Sequence, residues 1–123
     1  MSKLLGIDYG QSKVGLALAD IETKIAVPLE VVNIKDLGLR IKDLIELEVI
    51  ERVVVGLPLG MNGQETEQTR EVKKFIKDLR SKTNIEIITA DERLTTAQAK
   101  RSGKDDAVAA MYILQLYIDR NYG

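Results

Sequence analysis

A carboxylate at the end of an apolar run is the feature that most constrains this chain. Leu4-Leu5-Gly6-Ile7 reads as a buried strand, and Asp8 interrupts it where a strand would otherwise continue. Gly10 permits a tight turn, and Val14-Gly15-Leu16-Ala17-Leu18-Ala19 returns as a second strand beside the first. An acid in that position costs free energy unless something pairs with it. Either a metal ion or the amides of the turn, to which Asp before Gly often bonds, meets that demand. The residues alone leave both open.

Which chemistry remains is set by what the chain lacks. It has no cysteine and no histidine, which excludes disulfides, thiolate metal sites, a cysteine nucleophile and a Ser-His-Asp triad. Any base, nucleophile or ligand is therefore a carboxylate, hydroxyl, lysine, amide or backbone group. Oxygen ligands of this kind favour hard cations such as magnesium or manganese. The 123 residues are expected to form one domain, 1–123, large enough for a single core. A formal net charge of −1 makes the chain no generic polycation, so any nucleic-acid binding rests on local basic patches. No apolar stretch approaches membrane-spanning length and Met1-Ser2-Lys3 shows no leader pattern, so a cytoplasmic protein without a membrane partner is expected.

Periodicity and caps give the remaining elements. Lys24 to Asn33 reads as a third strand, with Pro28 suggesting an edge position or a bulge. Asp36 is a candidate cap for a helix with Leu37, Ile41, Leu44 and Ile45 at helical spacing. The run from Arg52 to Leu59 is β-branched, as in a central parallel strand, and ends in the loop Gly60-Met61-Asn62-Gly63-Gln64. A helix is predicted from about Thr66 to Arg80, a fifth strand over 85–90, and a last helix from about Asp105 to Asp119. The order βββαβαβα implies an α/β fold: a mixed five-stranded sheet, an antiparallel meander of three strands followed by parallel ones, flanked by helices.

Three acids fall at element ends. Asp8 ends the first strand, Glu92 follows the fifth and Asp106 opens the last helix. Ligands bind at the carboxyl ends of strands in such sheets, and three convergent carboxylates suit a pair of hard cations about 3.5–4 Å apart. Each acid also has a plainer reading. Asp106 or Asp105 serves equally well as a helix cap, and Glu92 as a local partner of Arg93.

The chain resembles the YqgF/RuvX family of nucleases, which has an RNase H-like fold. Gly6-Ile7-Asp8-Tyr9-Gly10, with Lys13-Val14-Gly15-Leu16-Ala17 and Asp20, is similar to the family's first motif. Val55-Gly56-Leu57-Pro58-Leu59 with Met61-Asn62-Gly63 is similar to the second, and Asp91-Glu92-Arg93-Leu94-Thr95-Thr96 with Ala99 to the third. Asp106-Ala107-Val108-Ala109-Ala110 with Ile113-Leu114-Gln115 and Tyr117 resembles the fourth. The resemblance implies a metal-dependent hydrolase of phosphodiester bonds that matures the 5′ end of pre-16S rRNA in ribosome biogenesis, in contact with ribosomal particles. For the same family it also suggests a Holliday-junction resolvase acting on branched DNA.

Asp8, Glu92 and Asp106 match the acidic positions of these motifs and are the expected catalytic metal ligands for Mg2+ or Mn2+, with Asp91 the rival of Glu92. Lys13, Asn62, Arg70, Arg93 and Lys104 are the expected substrate-binding residues, with Lys100 as a further candidate. Singly, each of these cations also reads as a solvated surface charge. Lys13 stands where the family more often has arginine, which keeps the charge but loses the bidentate fork for phosphate. Only Lys100-Arg101-Ser102-Gly103-Lys104 joins the third motif to the fourth, where the family usually has a longer segment.

Two readings from other classes stand beside the nuclease. Asp8-Tyr9-Gly10 between two strands also looks like the phosphate loop of actin-like and sugar-kinase ATPases. A non-catalytic ribosome-assembly factor that binds RNA passively would keep the same fold. Metal-dependent cleavage separates the nuclease from the latter, and tight ATP binding would favour the former.

Overall fold

In a computed structural model that describes residues 2–91 and 106–123, β-branched and leucine-rich segments line up as five strands. They are β1 (Lys3–Tyr9), β2 (Lys13–Asp20), β3 (Ile25–Asn33), β4 (Ile50–Leu57) and β5 (Glu86–Asp91). Among the described residues three α-helices accompany them: α1 (Leu37–Glu48), α2 (Glu67–Lys82) and α3 (Asp106–Asn121). The sheet order is β3-β2-β1-β4-β5, antiparallel across the first three strands in sequence and parallel from β1 to β4 to β5. This is the mixed sheet expected from the sequence.

Alternation along each strand divides the core into two layers. On one face Leu5, Ile7, Leu16, Val53, Val55 and Ile87 pack against Leu37, Ile41 and Leu44 of α1 and Val72, Ile76 and Leu79 of α2. On the other, Leu4, Ala17, Ala19, Ala26 and Val54 receive Ala110, Ile113, Leu114 and Ile118 of α3. The small residues on the second face let α3 lie close. A Cβ added at Gly6 would sit 2.9 Å from Leu114 Cβ and 3.0 Å from the Ala110 carbonyl oxygen.

Pro28 lies in β3 at the sheet edge, beside a register shift that places Leu16 opposite Glu30 and Ala17 opposite Pro28. An edge strand tolerates the missing N–H, and the bulge absorbs it. Asp36, by contrast, is not the cap that the sequence suggests: it precedes α1 but makes no capping hydrogen bond. A 3-10 turn over Ile34–Asp36 leads into the helix and holds Asp36 at φ −97°, ψ −3°. A capping side chain reaches back to the first-turn amides from an extended backbone, which Asp36 does not have.

Candidate active site

β1 and β4 run parallel, so the chain leaves both strands at one edge of the sheet. Asp8 is the penultimate residue of β1, half-buried, and sits opposite Gly15 of β2. Residues opposite one another in an antiparallel pair point to the same face. That face is the one α3 covers, because Gly6, two residues before Asp8, is pressed against Leu114.

Gly15 fixes the start of α3. A Cβ there would lie 1.8 Å from the carbonyl oxygen of Asp106 and 2.7 Å from the amide nitrogen of Ala107. The first turn of α3 therefore rests directly on the backbone of β2 at the residue paired with Asp8. Asp8 and Asp106, nearly the length of the chain apart in sequence, both border Gly15 at the carboxyl edge of β1. Asp106 is also half-buried. Lys13 lies two residues before Gly15 on the same face, exposed, at the turn where Gly10 N–H donates to its carbonyl oxygen (3.1 Å). Two acids on backbone segments that meet at Gly15, with Lys13 two residues away on the same strand face, thus stand at the open end of a parallel strand.

Asp91 does not join this group. It ends β5 opposite Leu57, and alternation assigns it to the α1–α2 face with Ile87 and Val55. Glu92, Arg93, Lys100 and Lys104 lie outside the described residues. No cluster of three or more acids able to hold a metal occurs among the described residues. Asp8 and Asp106 are the two members of the expected triad that fall within them.

The loop after β4 leaves from the same edge. Leu59 bridges Glu65, Gly60 N–H donates to the Gln64 carbonyl (2.8 Å), and Gly63 N–H donates to the Gly60 carbonyl (2.9 Å). Gly63 occupies φ 81°, the left-handed position such a short hairpin loop requires. Asn62 sits exposed at the tip, its N–H held by Gln64 Oε1 (3.0 Å). Pro58 then anchors α2: its carbonyl accepts from the hydroxyl of Thr69, the only buried polar residue among those described. Thr66 and Thr69 close a capping box at the start of the helix. Arg70 comes next at this edge, but it is exposed and turned from the buried stripe Thr69, Val72, Ile76 and Leu79. It stands on the layer opposite Asp8, and the structure does not bring the two together.

Tyr9, next to Asp8, points to the α2 side and stacks on Phe75, with centroids 4.5 Å apart and planes at 26°. Burial raises its phenol pKa, and the charge of Glu71 adds to the effect. Sequence reasoning missed Tyr9 as a packing residue and Gly15 as a seat for α3. A glycine among large strand residues was the one available signal for the second.

The family model described as "RuvX: Holliday junction resolvase" matches residues 2–120. A relative from Endomicrobium trichonymphae, named "Putative pre-16S rRNA nuclease", is 37% identical over 97% of this chain and 96% of its own length. One of the same name from Sulfurihydrogenibium sp. (strain YO3AOP1) is 38% identical, covering 98% and 92%. Among solved structures, T. thermophilus RuvC in complex with Holliday junction substrate superposes with a TM-score of 0.67 at 13% identity, covering 100% of this chain and 97% of that one. The Fowlpox virus resolvase bound to Holliday junction DNA superposes at 0.59 and 11% identity, covering 96% and 97%. The architecture is thus that of the RuvC-like RNase H fold, and with near-complete coverage by the family model and by relatives of this identity, the chain belongs to the RuvX family.

Proposed function

We propose that this chain is a nuclease of the cytoplasm, one RNase H-like domain over residues 1–123, that hydrolyses phosphodiester bonds in maturing the 5′ end of pre-16S rRNA. The observation that carries this reading is the meeting of Asp8 and Asp106 at Gly15, on the carboxyl edge of β1, in a chain of the RuvX family. The names of relatives supply the substrate, and pre-rRNA within ribosomal particles is the expected partner.

Asp8, Glu92 and Asp106 are the residues that would hold Mg2+ or Mn2+, as a two-cation site. The donor set fits, since hard cations take carboxylate oxygens and Asp8 and Asp106 stand on backbone segments that meet at Gly15. A cation held there would supply a lowered pKa for the attacking water and positive charge at phosphorus, in a chain that has no histidine to act as base. Of the adjacent acids, Asp91 belongs to the other face of the sheet, so Glu92 is the one assigned. Lys13, on the face of Asp8, is placed to orient a phosphate, and Asn62, Arg93 and Lys104 are the further substrate contacts.

The test is cleavage of a pre-16S leader RNA with magnesium or manganese, run beside chelator and Asp8→Asn. Cleavage should need the cation, and Asp8→Asn, which removes one ligand charge while keeping the shape, should lower the rate at least 100-fold, on the order expected when one electrostatic contributor is lost. Cleavage by the folded variant, or in excess chelator, would sink this mechanism. The family description favours one competing substrate, a four-way DNA junction, which belongs in the same assay.

A further inference from the structure

The outer face of α2 carries charge that the helix itself does not want. Arg70, Lys73, Lys74 and Lys77 are all exposed and, at 3.6 residues per turn, fall within an arc of roughly 100°. Every one of them is three or four positions from another, where like charges repel. The acids Glu67, Glu71 and Asp78 lie on an adjacent strip, at neighbour spacing from Arg70 and Lys74 but not from Lys73 or Lys77, whose charged neighbours three and four positions away in the helix are all cations. Lys73 pairs with Glu65, while Arg70, Lys74 and Lys77 make no ion pair with any described residue. Altogether α2 bears six cations against three acids in a chain whose net charge is −1.

Position gives this stripe a direction. The capping box and the Thr69–Pro58 bond fasten the start of α2 to the loop that leaves β4 at the edge where Asp8 lies. From there Arg70 to Lys77 extends about 10 Å along the helix, enough to track two or three phosphates of an unpaired strand.

We infer that the Arg70–Lys73–Lys74–Lys77 face of α2 is a second backbone-binding track, holding the RNA strand that flanks the cleaved bond after it has passed over the sheet edge. This rests on the nuclease reading and names a part of the substrate that does not touch Asp8. The track explains why the helix tolerates its own repulsion, since bound phosphates would relieve it. It recognises charge and not sequence.

Binding of a short unpaired RNA (about 8 nucleotides) and a long one (about 24) to the full chain, over a salt series, tests this. For the unmodified chain the long RNA should bind more tightly and with a steeper salt dependence. Lys74→Gln combined with Lys77→Gln should remove on the order of tenfold in affinity for the long RNA, flatten its salt slope by about 1.4, and leave the short RNA unaffected. The same change made at Lys35 and Lys42, off the track, should do neither. Lys77→Glu supplies a readout with opposite signs: it faces Lys73, Lys74 and Arg80, so the melting temperature should rise while the long-RNA affinity falls. Equal affinity of the double variant and the unmodified chain for long RNA, with cleavage intact, would overturn the track alone. No binding of either RNA by the unmodified chain would instead overturn the nuclease reading on which it stands.

Discussion

Gly15 carries more of this molecule than its size suggests. The start of α3 occupies the space a side chain would need, so Gly15→Ala must push the first turn of the helix off the sheet. We expect a loss of about 1–3 kcal/mol in denaturant unfolding, and a loss of cleavage beyond what the lost stability explains, because Asp106 moves with the helix. Val49 shows the reverse. It closes α1 in the left-handed region at φ 52° and is 60% exposed, so a β-branched residue is strained there and buries little. Val49→Gly should raise stability by about 1 kcal/mol, read from the same unfolding curves.

Tyr9 gives a pH signature. Its phenol holds its proton more tightly when folded than when unfolded, so this contribution is complete below the ordinary tyrosine pKa and is lost as pH rises through the folded value. In an alkaline absorbance titration Tyr9 should ionise above the ordinary tyrosine range, and Tyr9→Phe should remove that late absorbance step while keeping the ring stack. A titration unchanged by the substitution would refute this.

Among the elements, β3 and α3 are joined by a contact with no local sequence signal. Gln115 of α3 accepts from the Ala26 N–H (2.8 Å) and donates to the Lys24 carbonyl (3.0 Å), taking the place of a neighbouring strand. Pro28, two residues on, has no N–H to offer. Together they blunt an edge that exposes Ile25 and Val27. Gln115→Ala should therefore increase concentration-dependent association, measured by light scattering; a variant that stays monodisperse would show the clamp to be incidental. The elements themselves were legible because strand alternation, helical spacing and the cap at Thr66 are local patterns. Asp36 misled because a 3-10 turn ahead of α1 took over the task its side chain was expected to perform. Gln115 was invisible as a clamp because its partners lie far back along the chain.

At the scale of the whole molecule, the acids at element ends could be read from sequence, since a charge that interrupts an apolar strand is conspicuous. Their grouping could not. That Asp8 meets Asp106 at Gly15, that Asp91 belongs to the opposite face, and that Arg70 stands on the far layer all depend on how the helices dock. The alignment to the Endomicrobium relative spans 135 positions against 123 residues here, so that relative has residues with no counterpart in this chain. Among the described residues, no helix is long and apolar enough to cross a membrane.

The seat of α3 on Gly15 also sets an order of events during synthesis. Asp8 leaves the ribosome well before its companion, which lies on α3, 98 positions further along the chain. A nascent chain can pair β1 with β2 and bury much of the α1–α2 layer while the two acids remain strangers. The proposed site thus comes into being only when α3 docks on the sheet, long after the strand that carries Asp8 has formed.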